Sequence, residues 1–242
     1  MSGGAVRRYA RVTRSATYGF LAGLPLFLFY ELVVVVGGGA GGSTVRLGAE
    51  IWTKEALGLL GLRSHLALGL VVAVLGAGIA WKERDRSLPV RGRYFLGLAL
   101  ESAVYAVVLA IAVSRLVGLI LGAFPAFGDA ALLTQIGLSV GAGLYEELVF
   151  RVLLVGGLYR LARSGSDTSR RTAYASAAVI GALIFSAVHY VGPLGDAFAL
   201  NSFAFRLLYG LALNGLYIVR GFGVAAWTHA LYDVMLVLSG VG

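Results

Sequence analysis

The chain has 242 residues, of which 59% are hydrophobic and only 13% charged, against about 45–50% and about 25% in an ordinary globular chain. With a mean hydropathy of +0.85, that balance excludes an aqueous fold, and it excludes a disordered chain, which needs the opposite composition. A net charge of +8 points to nucleic acid only where basic residues share a face with aromatics. Here they fall between apolar runs, so no nucleic-acid partner is expected. The absence of Cys excludes disulfides, thiolate metal sites and a Cys nucleophile.

The chain opens with Arg7, Arg8, Arg11 and Arg14, a basic tail over residues 1–16. The apolar run that follows is too long for a signal peptide and lacks a small-residue cleavage site, so it reads as a retained first span. A span needs about 20 apolar residues. That length predicts about seven transmembrane helices, over 17–38, 64–81, 94–121, 130–160, 172–190, 199–219 and 224–240. The fold class is therefore all-α, a polytopic bundle. It is read as a single membrane domain over 1–242, with N-terminal spans over 17–121 and a motif-bearing core over 130–240.

Between the first two spans, Val45 to Leu62 predicts an amphipathic interfacial helix. Arg46, Glu50 and Lys54 form a solvated stripe, while Trp52, Ala56, Leu59 and Leu60 face lipid. With seven spans, most of the 20 Lys and Arg residues fall on one side of the membrane. The positive-inside rule makes that side cytoplasmic. The expected location is the cell membrane, multi-pass, with the N-terminus in the cytoplasm.

A charge at the bilayer centre costs at least about 2.5–3.5 kcal/mol, so each intramembrane ionisable residue is a functional candidate. The densest group is Glu146-Glu147-Leu-Val-Phe-Arg151 in the fourth span. Glu147 and Arg151 are spaced i,i+4 with the acid N-terminal, the favourable order for an ion pair. Glu146 points about 100° away and lacks that partner. Two adjacent carboxylates in different environments can separate a working base from a structural acid.

Two histidines follow, each closing or opening a one-turn motif: Phe185-Ser-Ala-Val-His189 and His229-Ala-Leu-Tyr-Asp233. An Asp one turn after a His can accept an imidazole N–H and fix the ring, which suits an acid–base His or a metal ligand. Rise counting puts Glu146 near mid-bilayer, His229 about 7 Å from the cytoplasmic face and His189 near the outer end of its span. A shared site therefore requires span five to start deeper, or to end inside the protein before Gly192-Pro193. Glu31, Glu101, Arg115 and Arg206 are expected to be structural partners for buried charge, and a Glu31–Arg206 pairing is expected from their similar depth. Asn201 and Asn214 are expected to bond between helices.

Together, Glu146-Glu147-x-x-x-Arg151, Phe185-x-x-x-His189 and His229-x-x-x-Asp233 resemble the motifs of the CAAX protease and bacteriocin-processing (Abi) family of intramembrane proteases. That family includes the type II CAAX prenyl endopeptidases. The resemblance covers about residues 130–240. Val152 stands where many members have Gly, and Asp233 where the eukaryotic prenyl-protein proteases have Asn.

The resemblance implies an intramembrane endopeptidase acting on a membrane-associated peptide or protein. Glu146 would be the general base, His189 its partner on the water, and His229 with Asp233 would support the oxyanion. Glu147, Arg151 and Phe185 would support the site. No cofactor is favoured. The same chemistry leaves open a zinc protease, with Glu146, His189 and His229 as ligands. Also open are a non-catalytic membrane scaffold or bacteriocin immunity protein and a proton-coupled transporter, although the chain has no inverted repeat of the kind many transporters have.

Overall fold

The computed structural model describes residues 3–37, 48–59, 61, 65–86, 88–121, 131–164, 168–192 and 195–239. Uninterrupted apolar runs without two-residue alternation favour helix over strand, and among the described residues no strand occurs. A short amphipathic helix α1 (Gly3–Thr13) leads into α2 (Ala16–Gly37). Next come α3 (Gly48–Leu59), α4 (His65–Glu83) with a 3-10 turn (Arg84–Arg86), and α5 (Gly92–Leu121). The motif region holds α6 (Leu132–Glu146), a π-helical stretch (Glu147–Val155), α7 (Gly156–Ser164), α8 (Arg170–Val188), α9 (Leu200–Arg220) and α10 (Phe222–Ser239).

Five of the described helices, α2, α5, α8, α9 and α10, are long and apolar enough to cross a membrane. The protein is a multi-pass helical membrane bundle. Large apolar side chains such as Leu28, Val35, Leu100, Val104 and Ile111 face outward, where lipid, unlike water, exacts no hydrophobic penalty. The span expected at 130–160 is not a regular helix. It runs α6, π-helix, α7, and the widened segment starts at Glu147, inside the first motif.

α10 occupies the centre and packs against α6, α5, α2 and α9. Its small residues permit this. Val224, Ala225, Ala226 and Ala230 are buried, and a Cβ on Gly143 of α6 would lie 2.6 Å from the Ala226 carbonyl and from Ala230. Backbone therefore meets backbone, the small-residue packing of helices in lipid. Side-chain-to-backbone hydrogen bonds lock further pairs: Trp227 Nε1 to Ala22 (2.8 Å), Ser186 to Phe203 (2.8 Å) and Asn214 to Ala178 (2.7 Å). The turn into α10 needs Gly221, whose φ of +85° is left-handed and whose Cβ would press the Arg14 carbonyl at 3.0 Å.

Two expectations are corrected. The polar stripe of the interfacial helix is not solvated: Glu50 is fully buried, accepts from the Tyr30 hydroxyl and pairs with Lys54 at 2.5 Å. Lys54 also reaches Glu31 at 3.3 Å, and Tyr145 donates to Glu31 at 2.9 Å. With apolar residues welcome in lipid, α3 turns Glu50 and Lys54 inward and leaves Trp52, Glu55, Ala56 and Leu59 exposed. Arg46 and Leu60 of the same expectation lie outside the described residues.

The second correction follows from the first. Glu31 pairs with Lys54, and Arg206 pairs with Asp196 at 2.5 Å, so the two do not pair with each other. Equal depth in the membrane says nothing about which face of the bundle a residue occupies. Glu101 pairs with Arg220 at 2.6 Å, as a structural partner, and Arg115 is exposed.

Candidate active site

The site forms where the end of α6 and the π-helical stretch cross α10 beside the end of α8. The Gly143 crossing draws α6 onto α10 one turn before the two glutamates. Glu147 and Arg151 are both wholly buried, with Arg151 Nη1 3.1 Å from Glu147 Oε1. The ion pair read from the i,i+4 spacing is present. The same Glu147 oxygen lies 2.7 Å from His229 Nδ1, so the residue read as a brace also holds the histidine.

The other ring nitrogen of His229 faces two more carboxylates. Nε2 is 3.4 Å from Asp233 Oδ2 and 4.0 Å from Glu146 Oε2. Side-chain exposure separates the neighbouring glutamates, at 15% for Glu146 and 0% for Glu147. One carboxylate is consumed inside the protein; the other opens to whatever enters.

His189 caps α8, its Nδ1 2.7 Å from the Phe185 carbonyl oxygen. Glu146, Arg206 and Asp196 are the charges that act on it. The helix stops at Val188, and the chain folds back so that Asp196 N–H donates to the His189 carbonyl at 2.8 Å. Pro193, invoked for this turn, lies outside the described residues.

Phe185 organises the aromatic wall. Its ring centroid is 5.0 Å from that of His189 and 6.4 Å from that of His229. The Arg151 guanidinium lies over its face at 4.4 Å, a cation–π contact. Phe150 continues the wall from Phe185 (5.1 Å) to Trp52 of α3 (6.5 Å), which ties the interfacial helix to the site.

Tyr209 of α9 carried no sequence signal and belongs to the same group. It packs 5.6 Å from the His229 ring, and Asp233, Glu147 and Arg151 are among the charges nearest its hydroxyl. That hydroxyl, Thr228 Oγ1, Glu147 Oε2 and all three guanidinium nitrogens of Arg151 are buried without a hydrogen-bond partner among the described residues. Such a cluster of unsatisfied groups is rare in a native interior. A lone Tyr in an apolar helix gives no spacing to read; the signal would have been its alignment with His229 across two helices.

His189 turns Nδ1 to a carbonyl, His229 Nδ1 is taken by Glu147, and among the described residues no three His, Asp or Glu side chains stand close enough to hold a metal ion.

Residues 128–235 match the family model described as Type II CAAX prenyl endopeptidase Rce1-like. No curated protein and no solved structure matches the chain. The matched segment spans the first motif through Asp233, and so takes in every site residue above except Trp52. Over residues 128–235 the chain is therefore similar to the type II CAAX prenyl endopeptidase Rce1-like family, a likeness that supports an intramembrane protease of the CAAX type in general.

Proposed function

We propose that the protein hydrolyses a peptide bond in a membrane-associated peptide or protein through water activated by Glu146, without a metal. The observation that carries this reading is the unequal fate of the adjacent glutamates. Glu147 is buried between Arg151 and His229, whereas Glu146 is accessible and 4.0 Å from His229 Nε2. Two hydrogen bonds of about 2.8 Å meeting at one oxygen near the tetrahedral angle span about 4.6 Å, so a small outward shift of either side chain opens this gap to an oxygen shared by the two residues.

Glu146 accepts a proton from water as the oxygen attacks the scissile carbonyl carbon, with His189 steadying the water. The carbonyl oxygen gathers negative charge and is met by the Nε2–H of His229. Glu147 holds that imidazole through Nδ1, which leaves the Nε2–H, 3.4 Å from Asp233 Oδ2, to turn to the oxyanion; an ionised Asp, unlike an Asn, only accepts. Glu146 then returns the proton to the leaving amine nitrogen as the C–N bond breaks. The wall of Phe150, Phe185 and Trp52 limits water around the reacting atoms.

The basic ends of α1, α2, α4, α5 and α9 support a cytoplasmic N-terminus. The test uses detergent-purified protein and a lipid-anchored peptide. Glu146→Gln keeps the shape of the side chain but removes the proton acceptor, and is expected to lower kcat by at least about 10²–10⁴-fold with the melting temperature unchanged. Metal analysis of active protein showing one tightly held zinc per chain, with activity lost on chelation and restored by zinc, would overturn the metal-free reading.

A further inference from the structure

Away from the site, a cleft of about 470 Å³ opens between α1 and the α9–α10 turn. Four arginines line it, Arg11, Arg14, Arg86 and Arg220, with Ala10 and Ser15 beside them, and none of the residues lining it is acidic. Two of the four are neutralised. Arg220 is held by Glu101 at 2.6 Å and 2.7 Å, and Arg86 by Glu83 at 2.7 Å. Arg11 and Arg14 are exposed and make no ion pair among the described residues, so the cleft carries two uncompensated positive charges.

Its level in the membrane is marked independently. The cleft sits where α1 and α9 end, where α2 begins and where the turn after α4 lies. In the last turn of α4, just before that turn, Trp81 is exposed under the Arg84 guanidinium at 5.0 Å. Aromatic side chains of this kind sit at the headgroup level. Guanidinium groups match phosphate oxygens in pairs, and basic pockets between helix ends are where acidic lipid headgroups bind.

We infer that this cleft binds the phosphate group of an anionic phospholipid headgroup, with Arg11 and Arg14 as its cationic ligands. The volume exceeds that of a bare phosphate and leaves room for the glycerol attached to it. Occupancy would clamp α1 against Gly221, the left-handed residue from which α10 and its His229 depart.

The full-length protein in phosphatidylcholine micelles is titrated with phosphatidylglycerol, and separately with inorganic phosphate, while melting temperature and lipid retention by native mass spectrometry are followed. Phosphatidylglycerol is expected to bind in preference to phosphatidylcholine. At about 1 kcal/mol per basic residue, the double variant Arg11→Gln/Arg14→Gln should lose roughly thirtyfold in that affinity. Its protease activity in phosphatidylcholine should match the parent, because neither residue touches the active site. A melting shift with millimolar inorganic phosphate alone would make free phosphate the ligand of the same site; no shift assigns the lipid. Equal weakening by Arg7→Gln/Arg8→Gln, which removes two charges of α1 outside the cleft, would reduce the effect to general attraction and overturn the proposal. So would equal binding of the two lipids.

Discussion

Among the described residues two arginines are buried, and they are treated in opposite ways. Arg220, at the basic end of the bundle, has every nitrogen engaged: Nε and Nη2 on Glu101, Nη2 also on Thr13 at 2.9 Å, and Nη1 on the Ala10 carbonyl at 2.9 Å. Arg151, at the active site, is fully buried with one ion contact, one aromatic face beneath it and no hydrogen bond from any nitrogen among the described residues. A satisfied charge network rigidifies; a partly satisfied one costs stability and persists where function holds it. The first arginine is a clasp that fixes α1, α5 and α9 together. The second holds a positive charge beside Glu147 so that Glu147 can hold His229.

The sharpest way to break that contrast is to remove each arginine. Arg220→Ala leaves the Glu101 carboxylate without its cation and is expected to cost about 3–5 kcal/mol of stability. Arg151→Ala leaves Glu147 with His229 still donating to it, and so should destabilise less, while lowering kcat through the loosened imidazole. It should still destabilise more than Glu146→Gln, which unpairs nothing. Thermal melts in one detergent combined with turnover measurements check this; equal stability losses for the two arginine variants would erase the distinction.

Next in size is the crossing that sets the site. Gly143→Val forces side-chain atoms where even a Cβ would lie 2.6 Å from α10. Overpacking of this kind costs about 1–3 kcal/mol. Because the displaced helix carries Glu146 and Glu147 away from His229, kcat should fall further than the melting temperature predicts. Gly157, which a Cβ would leave free of contacts, is the control: Gly157→Ala should change neither.

Tyr209→Phe probes the unsatisfied cluster more gently. Removing a buried hydroxyl that bonds no group among the described residues should leave stability unchanged or raise it slightly. If the hydroxyl donates to the reacting group or its water, kcat should fall by about tenfold, equivalent to 1.4 kcal/mol, with KM unchanged. Full activity in Tyr209→Phe would confine this residue to packing.

The same two regions show what could be read from residues alone. The helices, the Glu147–Arg151 pair and the three motifs were legible because each rests on a period of three to four residues within one segment. The link from Glu147 to His229 was not, since it joins residues 82 positions apart and no local spacing reports it. The burial of Glu50 was misread for a different reason. In water a charged stripe marks the outside of a helix, but against lipid the charged side turns inward, so the pattern was visible and its direction was inverted. Arg206 and Glu31 failed as a pair because each had a nearer partner, Asp196 and Lys54, that depth counting does not weigh. The π-helical stretch at Glu147 had no signature in composition at all; it is the segment that packs against both α8 and α10.

The smallest expected effect lies back at the basic end, where Glu83 closes the start of α2. Its carboxylate accepts from the Thr17 N–H (2.9 Å), the Thr17 hydroxyl (2.8 Å) and, more weakly, the Ala16 N–H (3.4 Å). Arg86 stands at 2.7 Å. Burial pushes the Glu83 carboxyl up, but the Thr17 and Ala16 hydrogen bonds and the Arg86 charge outweigh it, so the group is held below the usual carboxylate range. A carboxyl with a depressed folded-state pKa contributes stability above its unfolded value, about 4.3, and loses it as the pH falls through the folded value. Glu83→Gln keeps one acceptor oxygen but no charge, and should cost about 0.5–2 kcal/mol at pH 7, as loss of a helix cap does. The melting-temperature gap between parent and variant should hold steady from pH 7 down to about 4.3 and close below it. A gap that persists at the lowest pH the fold tolerates would mean the carboxylate charge contributes nothing there, and that α2 is anchored by the Tyr18–Pro89 hydrogen bond (2.6 Å) and packing instead.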